Sequence, residues 1–164
     1  MAASGRLAAA RFAQLWLSPA GTRTLQDASP FTRPGHAQMR TILIVDDSPT
    51  MRRMIIASLR GLGDVGFDQA GSGLEAIERL ALAHVDLVVL DLNMPDVHGL
   101  EVLRFVRGHE RFNALPVVVL TTRGDDESRE AALREGASRY LTKPFVPLAL
   151  GSEIRELLDA GQPS

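Results

Sequence analysis

The sequence contains no cysteine, one tryptophan, one tyrosine and a single lysine. Without cysteine there is no disulfide framework and no thiolate chemistry. The same absence fits a cytoplasmic protein. No stretch reaches the length of a membrane span, so helical membrane insertion is excluded. Net charge is only −2, which gives no electrostatic basis for expecting nucleic-acid binding. The scarcity of lysine is the most informative absence. Of 18 basic residues, 17 are arginine and the exception is Lys143. A genomic bias explains the arginines but not the exception. A lysine kept against such a bias marks a position that needs a compact ammonium rather than a planar fork.

What is present suits one ordinary globular domain: 164 residues, 45% hydrophobic and 23% charged. Charge is unevenly placed. Residues 1–39 carry Arg6, Arg11, Arg23 and Arg33 against Asp27, a net of +3 that leaves −5 for the remainder. Leu7 to Leu17 is apolar but short and interrupted by Arg11 and Gln14, and Ser18, Pro19, Gly21, Pro30, Pro34 and Gly35 then break the segment repeatedly. A signal peptide and an organellar transit peptide are alternative readings of this leader. The preferred one is a disordered extension over 1–39, or a start assigned upstream of the real one at Met39. The domain itself is placed at 40–160, with 161–164 as a tail.

Five strand-like runs, four of them apolar, alternate with amphipathic segments. Thr41–Val45 and Leu87–Leu90 are apolar without interruption, as strands buried on both faces are. Val65–Gln69 is more polar and reads as an edge strand. Leu115–Leu120 and Ser138–Thr142 are the fourth and fifth strands. Helices are expected over Thr50–Arg60, with Ser48-Pro49 as cap and first position, then over Leu74–Ala83, Gly99–His109, Asp125–Glu135 and Pro147–Leu158. Pro147 and Gly151 are expected to make the start of the last helix irregular. Five such alternations with right-handed crossovers give an α/β fold, a doubly wound parallel sheet. The flavodoxin-like class of such sheets has strand order 2-1-3-4-5, the order expected here.

That order brings four strand ends to one edge, and each ends in a polar residue: Asp46-Asp47, Asp91, Thr121 and Lys143. Any one alone is ordinary. An acidic pair is commonly a solvated turn, and a lone Asp after a strand commonly caps a loop. Their coincidence at the carboxyl edge, where open α/β sheets bind ligands, is what carries weight. Three crowded carboxylates repel unless a cation sits among them, and hard oxygen ligands of this kind suit Mg²⁺. An ammonium and a hydroxyl add partners for an anion. Together these residues describe a site where a carboxylate accepts a phosphoryl group.

From Ile42 to Leu158 the sequence resembles a two-component response-regulator receiver domain, most closely the single-domain CheY-like kind. The residues that carry the resemblance are VDDSPTMRR at 45–53, DLNMPDVHG at 91–99, Thr121 and YLTKPF at 140–145. Residues 1–39 have no counterpart in it. The resemblance implies that Asp91 accepts a phosphoryl group from the phosphohistidine of a sensor histidine kinase. It implies that Asp47 ligates Mg²⁺ directly, that Asp46 helps through water, and that Asn93 contributes its backbone carbonyl. Lys143 is to pair with Asp91 and then with the phosphoryl oxygens, across a cis bond to Pro144. Thr121 is the implied switch hydroxyl and Tyr140 the aromatic switch, outward when inactive and inward when active. The face of the fourth helix, fifth strand and fifth helix is the implied contact for a downstream target. Thr122 stands where Ala, Ser or Gly is usual, and Arg123 lies at the mouth of the site. Thr122, Arg123 and Asn93 are therefore candidates for tuning the lifetime of the phosphate.

Such a chain is not an enzyme on external substrates, beyond Mg²⁺-dependent self-phosphorylation and self-dephosphorylation. The expected output is a binding event by a stand-alone receiver, chemotaxis-like in the first reading. A phosphorelay intermediate or an adaptor outside chemotaxis is the alternative. An aspartyl-nucleophile phosphatase shares the Asp, Mg²⁺, Thr and Lys, but needs a second Asp where this chain has Asn93. A flavin-binding fold would need a phosphate loop where Asp46-Asp47 stand. A receiver that works without phosphate is disfavoured because no residue of the pattern is missing.

Overall fold

The computed structural model describes residues 39–161. The extension read over 1–39 falls outside the described residues except for Met39, and so does the tail beyond residue 161. The elements follow in the order β1 Arg40–Val45, α1 Pro49–Leu59 with a 3₁₀ turn Arg60–Leu62, β2 Val65–Ala70, α2 Gly73–Leu82, β3 Leu87–Leu90, α3 Gly99–Gly108, β4 Val117–Thr121, α4 Asp126–Arg134, β5 Arg139–Thr142 and α5 Pro147–Ala160. The sheet is five-stranded and parallel with order β2-β1-β3-β4-β5.

The unbroken apolar runs are explained by what covers each face. Alternate residues of the central strands face opposite layers. Leu43, Val45, Val88 and Leu90 pack with Ala76 and Leu80 of α2 and with Val102, Leu103 and Val106 of α3. Ile42, Ile44, Leu87 and Val89 pack on the other side with Ile55 and Leu59 of α1 and with Leu150, Ile154 and Leu158 of α5. From Ile42 onward β1, like all of β3, is dry on both faces and has no place for a polar residue until it ends; Arg40 and Thr41 sit at the half-buried start of β1. The edge strand β2, half-exposed along most of its length, has such places.

α4 is the exception among the helices. Its one buried residue is Ala132, which joins Leu92, Val119 and Tyr140 in a small separate cluster. The helix is held at its ends instead. Asp125 caps it by accepting from the Ser128 N–H at 2.8 Å, and this bond holds its carboxyl below the ordinary carboxylate range.

α5 corrects one expectation. It runs regularly from Pro147 to Ala160, without the irregular start that Pro147 and Gly151 suggest in the sequence. Pro147 occupies the first turn, where a missing N–H costs nothing. Gly151 faces inward, and a Cβ there would meet only Leu62 Cδ2 at 3.9 Å. Among the described residues no helix is long and apolar enough to cross a membrane.

Candidate functional site

The site forms where β1, β3, β4 and β5 end. Asp46 follows β1 directly and is 1% exposed, and Asp91 follows β3 and is 5% exposed. Buried carboxylates at a strand end require partners, and each has them. The Lys143 Nζ lies 2.6 Å from Asp46 Oδ2 and 3.2 Å from Asp91 Oδ2, so one ammonium bridges two acids. The nearer partner is Asp46, whereas the resemblance singles out Asp91. Asp46 Oδ1 accepts from the Ser48 N–H at 2.8 Å, and Asp91 Oδ1 accepts from the Asn93 N–H at 3.1 Å. Lys143 precedes a cis peptide bond to Pro144. Its side chain is 8% exposed.

Asp47 differs from the other two acids. It is exposed, and among the described residues its carboxylate makes no hydrogen bond or ion pair. Asp46, Asp47 and Asp91 nonetheless each bring a carboxylate oxygen into one group, all within 4.8 Å of one another. Two buried acids and one open to water make a donor set of hard oxygens with a wet side. That matches a small divalent cation that keeps several of its waters. Three carboxylates facing one ammonium also leave an excess of negative charge that such a cation would offset.

Asn93, Thr121, Thr122, Arg123 and Tyr140 form a connected chain beside the acids. The Asn93 side-chain amide donates to Thr122 Oγ1 at 2.9 Å and to Thr121 Oγ1 at 3.4 Å. Arg123 Nε donates to Asn93 Oδ1 at 2.8 Å, and the Arg123 backbone N–H donates to Thr121 Oγ1 at 3.4 Å. The Tyr140 hydroxyl donates to the Arg123 carbonyl at 2.7 Å. Tyr140 is therefore in the inward position, with its ring packed against Leu92, Val119 and Ala132. Burial pushes its hydroxyl pKa up, the Asp125 charge adds to this, and Arg123 opposes it.

The loop carrying Asp91 and Asn93 is fixed from two sides. Gly99 opens α3 directly against it, and a Cβ at Gly99 would sit 2.4 Å from the Asp91 carbonyl oxygen and 2.6 Å from Leu92 Cα. Asp96 accepts from the Gly73 and Leu74 N–H groups at 3.3 and 3.4 Å, which ties the loop to the start of α2.

Sequence reasoning did not single out Arg52. Its Nη1 donates to the Asp46 carbonyl oxygen at 2.6 Å and its Nε donates to Gln69 Oε1 of β2 at 3.1 Å. The usable signal was an arginine one turn inside the helix that follows the acidic pair. It was hidden among sixteen other arginines.

Residues 42–155 match the model of the response regulator receiver domain family. Chemotaxis protein CheY1 of Helicobacter pylori is 38% identical over 118 residues, covering 71% of this chain and 95% of the relative. The CheY homologue of Campylobacter jejuni is 36% identical over 121 residues, covering 73% and 93%. A response regulator of Chloroflexus aurantiacus superposes with a TM-score of 0.71 at 34% identity, over 74% of this chain and 99% of that one. Chemotaxis protein CheY4 of Vibrio cholerae does so with a TM-score of 0.67 at 31% identity, over 73% and 98%. The strand order, the acids at the strand ends and these likenesses agree: the chain belongs to the response regulator receiver domain family, in its CheY-like form.

Proposed function

We propose that this receiver domain, placed at residues 40–160, takes a phosphoryl group onto Asp91 from the phosphohistidine of a sensor histidine kinase. The observation that carries the reading is the bridge of one buried ammonium over two buried carboxylates, with a third, exposed carboxylate beside them. An Asp91 carboxylate oxygen attacks phosphorus, the P–N bond breaks, and its electron pair returns to the imidazole nitrogen. Asp46, Asp47 and the Asn93 carbonyl would hold Mg²⁺ together with Asp91. Bound there, Mg²⁺ offsets the charge of the transferring oxygens. Receiver domains bind Mg²⁺ at such an acidic pocket, and the donor set here fits it.

Lys143 is already at the site and loses no solvation when the anion arrives. Its ammonium is held between Asp46 and Asp91, ready to bond phosphoryl oxygens. Thr121 supplies a hydroxyl donor, and Asn93, Thr122 and Arg123 screen the mouth of the site from attacking water. Asn93 stands where a phosphatase of the aspartyl-nucleophile type would need a proton-carrying acid. Its amide instead bonds Thr121 and Thr122, which favours a long-lived acyl phosphate over multiple turnover.

The output is binding of a downstream target through the face of α4, β5 and α5, governed by Thr121 and Tyr140. Likeness to chemotaxis proteins of three organisms supports a chemotaxis-like role over a generic phosphorelay. The test is to incubate the full chain with acetyl phosphate, with and without Mg²⁺, and resolve it on a phosphate-affinity gel. A Mg²⁺-dependent, acid-stable and base-labile label in wild type that disappears in Asp91→Asn is expected. Continuous release of phosphate without accumulated label would make the protein a phosphatase. No label under any condition would refute phosphoryl acceptance.

A further inference from the structure

Asp47 is the one acid of the three with no side-chain bond of its own among the described residues. Its direction must come from the backbone. The backbone at this point is held group by group. The Asp46 N–H donates to the Ala70 carbonyl of β2 at 3.1 Å, and the Arg52 N–H donates to the Ser48 carbonyl at 3.0 Å. Ser48 Oγ accepts from the Met51 N–H at 3.2 Å. The Asp46 carbonyl belongs to the peptide plane joining Asp46 to Asp47. The Arg52 guanidinium takes it at 2.6 Å while its Nε is held by Gln69 at 3.1 Å.

We infer that Arg52 is a positioning residue for the metal site: by clamping the Asp46–Asp47 peptide plane between α1 and β2 it sets the direction in which Asp47 presents its carboxylate. The inference rests on the metal site proposed above. The clamp is stiff because a guanidinium held at both Nη1 and Nε cannot swing about its long stem. It is also placed to act on direction more than on distance. Rotation of one peptide plane turns the next Cα–Cβ bond; the Asp47–Ser48 plane on the far side is held by the Ser48 N–H on Asp46 Oδ1 at 2.8 Å, which leaves the Asp46–Asp47 plane to Arg52. Groups outside the ligand shell that orient ligands in this way commonly change metal affinity by about 10- to 100-fold.

Electrostatics gives the inference a sign that separates it from the alternative. Arg52 is a cation beside a cation site. If it acted only through its charge, removing it would strengthen Mg²⁺ binding. If it acts by positioning, removing it weakens Mg²⁺ binding in spite of that.

The experiment measures Mg²⁺ affinity of the full chain by isothermal titration calorimetry for wild type, Asp47→Asn, Arg52→Ala, Arg52→Lys and Gln69→Ala. Thermal melts of the metal-free proteins run in parallel. Arg52→Ala is expected to bind about 10-fold more weakly than wild type. Arg52→Lys, which can reach the carbonyl but not Gln69 as well, falls between the two. Gln69→Ala gives a smaller loss than Arg52→Ala with little change in metal-free melting, and it stands in for Arg52→Ala if that variant does not fold. Wild-type or tighter Mg²⁺ affinity in Arg52→Ala, or in Gln69→Ala where the arginine variant fails to fold, overturns the inference while loss in Asp47→Asn keeps the metal site. Equal affinity in wild type and Asp47→Asn removes the metal site, and the inference with it.

Discussion

Replacing Lys143 with methionine tests whether the bridge is as dry as its geometry says. Methionine is close in length and keeps the packing of the stem, so the change removes chiefly the charge. The side chains it would leave behind are closed to water: Asp46 is 2% exposed and Asp91 6%. Removing one partner of a buried ion pair costs about 3–5 kcal/mol, most of it the penalty of a carboxylate left unpaired. A domain of this size is stable by about 5–15 kcal/mol in total. The variant should therefore fold but unfold at markedly lower urea. The assay is equilibrium urea unfolding followed by far-UV circular dichroism, with a chelator present so that no divalent ion compensates. The same measurement on Asp46→Asn and on the double variant completes a cycle. In the double variant the nearer unpaired charge is gone, so the summed cost of the two single changes should exceed the measured one by about 1–3 kcal/mol. A cost below about 1 kcal/mol for Lys143→Met is what an exposed pair would give. That result, or a cycle that closes additively, would refute the desolvated bridge and the preorganised cation inferred from it.

Asp47→Asn should have the opposite sign in the absence of metal, because it removes an acid without a cation partner from a crowded site. A gain of up to about 1 kcal/mol in chelator is expected, together with loss of the stabilisation that saturating Mg²⁺ gives wild type, about 2.7 kcal/mol at a hundredfold excess over Kd. Gly99→Ala would put a methyl 2.4 Å from the Asp91 carbonyl and 2.6 Å from Leu92 Cα, backbone atoms that cannot rotate aside. It should cost about 3 kcal/mol in urea unfolding and slow phosphoryl acceptance. Gly151→Ala, with 3.9 Å of room, should stabilise by about 0.5–1 kcal/mol. Tyr140 is the only tyrosine in the chain, so its ionisation can be followed by ultraviolet absorbance alone. Burial disfavours the phenolate, so the midpoint should lie above the ordinary phenol value of about 10. A phenol whose pKa is raised on folding contributes stability that is lost as pH climbs past the unfolded value, so alkaline unfolding should be delayed in Tyr140→Phe. Asp125→Asn should lower the midpoint. Arg123→Glu breaks the bond to Asn93 and should shorten the life of the phosphorylated form, measured as decay of the gel-shifted band after the donor is removed. An unchanged rate would free Arg123 of any tuning role.

β1 and β3 were legible because burial on both faces allows no polar residue in their interior until the strand ends, so Asp46 and Asp91 marked those ends; β2 and β5, which carry Asp68, Gln69, Arg139 and Thr142, were read from their place in the alternation. Alternation and handedness gave a doubly wound parallel sheet, and the order of the flavodoxin-like class placed Asp46, Asp91, Thr121 and Lys143 together. Distances between side chains were not legible. That Lys143 sits closer to Asp46 than to Asp91 depends on how the chain leaves β5, and no pattern of residue types records it. Tyr140 illustrates the same limit. Alternation along β5 sets its face against those of Arg139 and Leu141, but its hydroxyl ends on the backbone carbonyl of Arg123, and backbone groups carry no sequence signature. The expectation of a disturbed α5 failed for a different reason. Proline and glycine were weighed as helix breakers by type, while their cost depends on position: a first turn needs no N–H, and a buried face can leave a methyl-sized space.

The connections around Arg123 indicate how a change at Asp91 could reach the outer face. Arg123 bonds Asn93 through its side chain and Tyr140 through its carbonyl, and the helix that follows is anchored by Ala132 alone in its middle. The neutral bond from the Tyr140 hydroxyl contributes about 1 kcal/mol net, and the charge-assisted bond from the Arg123 guanidinium to Asn93, which is exposed to water, about the same. Two of them made in one state and lost in the other amount to about 2 kcal/mol, which is roughly a 30-fold change in population. That suffices to carry α4 from about one part in six to about five in six. It does not suffice to drive a switch from nearly all to nearly none, which requires about 5.5 kcal/mol. The remainder must come from the phosphoryl oxygens themselves, through bonds to charged or hydroxyl donors at about 1.5–3 kcal/mol each. In the function proposed above, Lys143 and Thr121 are the two donors that would make them. A receiver with Thr121→Ala should then still accept phosphate on Asp91 yet shift its target affinity by several-fold less than wild type does, whereas an equal shift would mean that the signal leaves the site by another route.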